Sequence, residues 1–324
     1  MKSILFICPY FGRLPEVHMR LWLQSCEKNP SVDWLILTDD KATALPCPPN
    51  VKVIYTTLQE IKRQAQEKFD FTISLVTPYK LCDYKPAYGY IFSEYVKGYD
   101  LWGHCDMTDC IFGNLRKYLT DSFLSGADKF LFLGHMTLYR NSPEVNRRIF
   151  LDVKCRKDNL RYIFGSARNW AFDEINPYSI NAIYMEQGWT IKRQDDMCLD
   201  ISPINKTFVS TRYTSGFQYF RSQEKHIVEW NSGTLTDWIL QSNGELHSRE
   251  IGYVHFQKRK MENCVTDMSH YYIVPNAYID VLEPVSMAMV KRHTRYCRYL
   301  YPQYYRLRYK NLKFKIKRFL HLLD

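Results

Sequence analysis

No run of about 18 or more apolar residues occurs in this 324-residue chain, which argues against a membrane-spanning helix. No Cys-X-X-Cys pair is present either, and the ten cysteines are scattered without the compact spacing of a secreted disulfide scaffold. Reduced thiols in a cytoplasmic compartment are therefore expected. The stretch Met1-Lys2-Ser3-Ile4-Leu5-Phe6-Ile7-Cys8-Pro9 is too short for the apolar region and cleavage site of a signal peptide. Internal repeats, low-complexity segments and Gly/Ser linkers are also missing. With 46% hydrophobic and 15% aromatic residues, the chain can bury one large core or a core with a satellite lobe.

Acidic residues are scarce where basic ones are dense. The net charge is +10, and eleven of the 44 Lys and Arg lie between Lys291 and Asp324, against one of the 34 acids. The rest of the chain carries 33 residues of each sign, so all the excess charge belongs to the tail. After Pro302, the residues Tyr305, Tyr309, Leu312, Ile316, Phe319, Leu320 and Leu323 recur at helical intervals. Arg306, Lys310, Lys313 and Lys317 fall between them, which predicts an amphipathic, cationic helix. Such a helix suits an anionic membrane surface, each basic residue contributing on the order of 1 kcal/mol. A helix packed on the body with a solvated basic face is the competing reading. No nucleic-acid partner is expected, because the neutral body offers no extended basic groove.

Strands and helices alternate through the first half. Ser3 to Cys8 reads as a buried strand ending at the turn Pro9-Tyr10-Phe11-Gly12, a helix follows from about Pro15 to Lys28, and strands recur at Val32 to Thr38 and Val51 to Tyr55. A helix from Pro86 to about Val96, a strand from Asp100 to Cys105 and a helix from about Leu115 to Leu124 are predicted next. Strands then follow at Phe130 to Leu133 and Met136 to Arg140, with Asn141-Ser142-Pro143 capping a further helix. The fold class is α/β, with a mostly parallel sheet of at least five strands and helices on both faces. Beyond Lys154 the pattern weakens. A smaller lobe is expected there, with Glu250 to Phe256 as one late strand before Lys258-Arg259-Lys260.

The most informative stretch runs from Gly98 to Cys110, where the apolar Leu101-Trp102-Gly103-His104-Cys105 ends in Asp106-Met107-Thr108-Asp109. In open α/β sheets ligands bind beyond the carboxyl ends of the strands, so acids just past a buried strand sit where substrate arrives. Carboxylate oxygens there suit Mn²⁺ or Mg²⁺, which share their coordination with a substrate's phosphates.

Together with Pro9-Tyr10-Phe11-Gly12, the block from Pro78 to Gly89, Gly134 to Asn141, Phe172-Asp173-Glu174 and Tyr253 to Arg259, this segment resembles a family of bacterial glycosyltransferase-like proteins encoded with surface-polysaccharide genes. The resemblance covers roughly residues 1 to 260 and excludes the basic tail. It implies a GT-A fold, a Rossmann-like sheet that binds a nucleotide-diphosphate sugar through a divalent metal held by an Asp-X-Asp motif. Asp106 takes the first position of that motif, Thr108 falls on the second, and Asp109 lies one residue later. In an extended strand residues i and i+2 share a face, so Asp109 joins Asp106 only if the backbone turns between them. Asp109 and the Thr108 hydroxyl therefore compete for the second metal contact. His255 resembles the histidine that completes the metal shell, and Lys258 and Arg259 would neutralise the diphosphate.

Nucleotide recognition is expected from Pro9 and Tyr10 at the base and Asp39 at base or ribose, with Lys85 reaching phosphate. Tyr10 is equally open to a packing role, and Lys85 to a solvated one. Asp173 and Glu174 are the acid-base candidates, since an inverting transferase needs a carboxylate to take the acceptor's proton. In a retaining enzyme they would bind acceptor, and a turn before Ile175-Asn176-Pro177 is the structural alternative. His135 and Arg140 are weaker acceptor-side candidates; Asp195-Asp196 has no pattern to promote it.

The predicted activity is metal-dependent transfer of a sugar, from a UDP-sugar, to a surface polysaccharide or lipid-linked oligosaccharide at the inner face of the membrane. A metal-dependent phosphoesterase or nucleotidyltransferase is the first alternative, although it wants more convergent carboxylates. A noncatalytic membrane-associated adaptor is the second. The expected division is a transferase domain over 1–283, with its nucleotide-sugar half in about 1–150 and its acceptor side in about 151–283, then a helical tail over 284–324.

Overall fold

Ile4-Leu5-Phe6-Ile7-Cys8 is apolar without alternation, as a strand covered on both faces requires, and it forms most of β1 (Ile4–Tyr10). The computed structural model describes residues 1–203, 205–213, 219–221, 224–257, 259–295, 300 and 302–319. From β1 the chain passes through α1 (Glu16–Glu27) to β2 (Val32–Thr38) and then β3 (Val51–Tyr55), each strand parallel to the one before. Next come α2 (Leu58–Gln66), α3 (Leu81–Tyr84) and α4 (Tyr88–Ile91). They lead to β4 (Leu101–Cys105), which pairs with the opposite side of β1.

After β4 the chain forms β5 (Cys110–Phe112), β6 (Lys129–Phe130) and β7 (Met136–Arg140). Three helices, α5 (Pro143–Asn146), α6 (Asn159–Gly165) and α7 (Ile180–Glu186), precede β8 (Ile191–Lys192). The main sheet has the order β3-β2-β1-β4-β7-β6-β8, and within it β7 runs against both neighbours. Strand order reverses at β1 and β4, so their carboxyl ends open a crevice at a topological switch point.

The second half is richer in strand than its sequence pattern announces. It contains β9 (Cys198–Ile201), β10 (Phe208–Val209), β11 (Thr211–Tyr213), β12 (Tyr219–Arg221) and β13 (Lys225–Asn231). These are followed by β14 (Thr234–Leu240), β15 (Leu246–Ile251), β16 (Tyr253–His255), β17 (Glu262–Cys264), β18 (His270–Val274) and β19 (Ala277–Asp280). One sheet runs β10-β9-β16-β5 and another β15-β14-β13-β18-β19-β17, while β11 and β12 form a ribbon. The lobe shares its core with the main sheet: Trp22, Trp34, Phe112, Trp230 and Tyr271 lie in one buried cluster, and Trp230 Nε1 donates to the Phe112 carbonyl at 3.0 Å.

Four sequence expectations are corrected. The helix expected from Pro86 is a series of short helical turns that starts earlier, at Pro78, because Pro86 supplies no N–H and Gly89 lies against the Trp102 indole. The helix expected from Leu115 is one 3₁₀ turn, Leu115–Lys117; the Leu115 N–H goes to Asn29 Oδ1 and Arg116 binds the Lys2 and Ser31 carbonyls. The strand expected at Phe130 to Leu133 stops at Phe130, since Leu131 turns the chain with φ 67°. The late strand is two strands in different sheets, divided at Gly252.

In the tail, α8 (Met287–His293) buries Met289 and Val290 against the six-stranded sheet. Helix α9 (Pro302–Phe319) leaves Tyr305, Tyr309, Leu312 and Ile316 exposed. Phe319 is in the helix but its side chain is not described; Leu320 and Leu323 lie outside the described residues. Among the described residues no helix is long and apolar enough to cross a membrane.

Candidate active site at the ends of the central strands

Two cavities meet at the switch point. The first, about 300 Å³, is lined by Ile7 to Phe11 at the end of β1, by Pro78, Tyr79, Leu81, Cys82, Lys85 and Tyr88, and by His104 to Asp109 at the end of β4. The second, about 370 Å³, shares Tyr79, Cys82, Lys85, Asp106 and Asp109 with it and continues to His135, Asp173, Glu174, Asp200, His255 and Gln257. One is mainly apolar and aromatic; the other is crowded with carboxylates.

Local folding brings the acids together. The backbone turns after β4, with the Asp109 N–H donating to the Asp106 carbonyl at 3.0 Å, and β5 begins immediately afterwards. This turn puts a carboxylate oxygen of Asp106, one of Asp109 and a ring nitrogen of His255 within 4.8 Å of one another. His255 arrives on β16, whose register sets it opposite Cys110 of β5 and Asp200 of β9. Its Nδ1 lies 3.0 Å from Asp200 Oδ1, while its Nε2 faces Asp106 Oδ2 at 3.8 Å. A carboxylate on one nitrogen fixes the ring and its tautomer and leaves the other nitrogen for a metal. Two carboxylates and an imidazole fit Mn²⁺ well and Mg²⁺ less well, since the smaller ion prefers an all-oxygen shell.

Lys85 ties this cluster to the Asp173 loop. Its Nζ is 2.7 Å from Asp106 Oδ1, 2.9 Å from Asp173 Oδ2 and 3.0 Å from the Gly134 carbonyl. Gly134 eases a close approach, for a Cβ there would stand 3.0 Å from the Asp173 carbonyl oxygen and 3.1 Å from its Oδ2. Burial opposes charge on Lys85, but Asp106 and Asp173 outweigh it and hold the amine well above its ordinary range. The same lysine acts differently on its two partners. Burial pushes the Asp106 carboxyl up, yet Lys85 and His255 overcome this and bring it down to about 2. At Asp173 burial wins, raising the carboxyl to about 7 despite Lys85. The other charged neighbours account for the difference: His255 and His135 join Lys85 at Asp106, whereas Glu174 and Asp106 oppose it at Asp173. His255 is raised because Asp200 and Asp106 outweigh its burial.

The pattern of residues 6–282 matches that of one protein family over most of the chain. The chain belongs to DUF6625, a family of unknown function. No curated protein matches it. A similar solved structure is mouse xyloside xylosyltransferase 1 in its apo form, at 11% identity and a TM-score of 0.40, covering 62% of this chain and 87% of that one.

Within this DUF6625 member the sequence candidates separate into groups. Asp106, Asp109, His255, Lys85, Asp173 and Glu174 surround the second cavity, and Pro9 and Tyr10 line the first. Asp39 lies outside both and receives the Gly12 N–H at 2.8 Å. Arg259 also lies outside both, donating to the Ser202 carbonyl, and Lys258 is outside the described residues. Thr108 lines the first cavity. Arg140 pairs with Asp128 at the surface. Sequence reasoning missed Asp200 and Gln257, and ranked His135 low. His135 stacks on His255, with ring centroids 4.1 Å apart and planes at 18°. Gln257 donates to Asp200 Oδ2.

Proposed function

We propose that this DUF6625 protein is a metal-dependent glycosyltransferase. It moves a sugar from a nucleotide-diphosphate donor, a UDP-sugar, to a surface polysaccharide or lipid-linked oligosaccharide, at the cytoplasmic membrane face to which the tail binds. The observation that carries this reading is the convergence of Asp106, Asp109 and His255 at the β1/β4 switch point, where an apolar cavity joins a carboxylate-rich one. The resemblance of the segments that build this cleft to glycosyltransferase-like proteins supports it.

Pro9, Tyr10 and Tyr79 form walls suited to a base in the first cavity. A divalent ion held by Asp106, Asp109 and His255 would bind the diphosphate and stabilise the charge it gains on leaving. Lys85 adds a fixed cation beside the same acids and keeps Asp173 oriented. During transfer the bond from the anomeric carbon to the phosphate oxygen breaks and a bond from that carbon to the acceptor oxygen forms. In an inverting reaction the acceptor's proton passes to the Asp173 carboxylate, whose Oδ1 has no hydrogen-bond partner among the described residues, with Glu174 at the same cavity.

Calorimetric titration with UDP, with and without Mn²⁺, tests the reading. Mn²⁺-dependent UDP binding that disappears in Asp106→Ala is expected, and equal binding in wild type and variant overturns the assignment. A phosphoesterase is the second reading, favoured by the neighbouring His135, Asp200 and His255 group as a possible second metal set. Phosphate release from simple esters without sugar transfer would select it.

A further inference from the structure

Lys80 and Asp83, on the segment that also carries Lys85, line neither cavity. They form an ion pair with Lys80 Nζ 2.7 Å from Asp83 Oδ2 and side chains 1% and 0% exposed. Both turn toward the connection between α6 and α7, which holds Asp173. Lys80 Nζ donates to the carbonyls of Ile163, at 2.8 Å, and Arg168. The Asp83 carboxylate accepts the Trp170 N–H at 3.0 Å and the Phe172 N–H at 3.0 Å.

Between those two amides lies Ala171, with φ 52°. A residue with a Cβ occupies this left-handed region only when its surroundings enforce it. Here the enforcement is visible, because N–H groups on both sides of Ala171 point at one carboxylate. The turn continues with the Glu174 N–H donating to the Ala171 carbonyl at 3.0 Å, and the Ile180 N–H at the start of α7 donates back to the Phe172 carbonyl at 2.9 Å. Asp173 is thus suspended between tethered neighbours, with Lys85 on its Oδ2 and no hydrogen-bond partner for Oδ1 among the described residues. A buried ion pair adds little net stability over an apolar pair of similar volume. What it supplies here is direction, through charge-assisted hydrogen bonds to a segment with no regular structure of its own.

We propose that Asp83, braced by Lys80, is a positioning residue for sugar transfer: it holds the Trp170–Phe172 turn in the conformation that sets the Asp173 carboxylate at the second cavity. The proposal rests on the glycosyltransferase reading of the cleft. Residues 80, 83 and 85 then act as one device, gripping the loop's carbonyls, its amides and its catalytic carboxylate from a single helical segment.

The test compares wild type with Asp83→Asn and with the charge-neutral pair Lys80→Met/Asp83→Asn, which removes both buried charges and so protects the fold. UDP affinity with Mn²⁺ is read by calorimetry, and UDP release from UDP-glucose, UDP-galactose and UDP-N-acetylglucosamine gives kcat and KM. Expected is a kcat lower by about 100-fold, typical of a displaced catalytic group, with KM for the donor and UDP affinity retained. Wild-type kcat in a folded variant overturns the proposal, as does a parallel loss of UDP affinity, which marks general structural damage. A wild type that neither binds UDP with Mn²⁺ nor releases it from any of the three donors refutes the glycosyltransferase reading instead.

Discussion

At the scale of single residues, the consequential fact is that Lys85 lies between two carboxylates of opposite tendency. Asp106 stays ionised, as the proposed metal ligation requires, whereas Asp173 is protonated below about 7. A rate that depends on the Asp173 carboxylate therefore climbs as pH rises through about 7, and Asp173→Asn removes that limb along with most of the activity. Asp200 acts through His255. Asp200→Asn is expected to weaken Mn²⁺ binding by roughly 10–100-fold while leaving the protein folded, as calorimetry would show. The two acids differ in legibility. Asp106 was conspicuous because a buried apolar run ends on it, but Asp200 sits between Leu199 and Ile201 and reaches His255 only through the parallel pairing of β9 with β16. Local pattern cannot report a partner 55 residues away. Asp39 also stands just past β2, where its carboxylate accepts the Gly12 amide and lies outside the lining of both cavities.

At the scale of elements, His18 joins three parts of the molecule. It projects from α1, its Nδ1 2.7 Å from the Tyr278 hydroxyl of β19 and its Nε2 3.1 Å from the Met107 carbonyl within the acidic turn. Burial lowers its pKa from 6.5 to about 4, so the native state keeps it neutral. The unfolded chain takes up a proton below about 6.5 and the native state does not until about 4, so this stability is fully present above pH 6.5 and is lost as pH falls toward 4. The loss amounts to about 3 kcal/mol. Urea unfolding across that window should show wild type falling relative to His18→Gln, whose side chain does not titrate; parallel curves would refute the assignment. The strands and helix around this contact were readable from apolar runs and turn residues, since β1, α1, β2, β3 and β7 each span a continuous pattern. The later lobe was not. In β13 and β14 aromatic and charged residues mix, because Trp238 and His270 both meet Glu229 across strands while Trp230 enters the core. Their Ser232-Gly233 turn, with φ 48° and 104°, is a local signal of a hairpin, and β-hairpin turns favour such left-handed pairs.

At the scale of the whole molecule, charge and exposure divide the chain into a formally neutral body and a cationic end. Helix α8 is held to the six-stranded sheet through Met289 and Val290, whereas α9 leaves Tyr305, Tyr309, Leu312 and Ile316 exposed beside exposed Arg306, Arg308 and Lys313. An apolar stripe flanked by cations matches the boundary between headgroups and acyl chains, where both faces find their preferred surroundings. Attraction to anionic lipid of about 1 kcal/mol per basic residue adds to burial of the stripe and is screened by salt. The full chain should therefore sediment with phosphatidylserine-containing vesicles at low salt, less so at high salt, and weakly with phosphatidylcholine alone. Truncation after residue 301 should abolish sedimentation while preserving UDP binding with Mn²⁺, because the cleft draws all its described side chains from residues 7 to 257. Unaltered vesicle binding by the truncated chain would exclude the tail as the anchor. Loss of UDP binding in that chain would show instead that α9 supports the catalytic body, which is the packing role its exposed apolar side chains argue against.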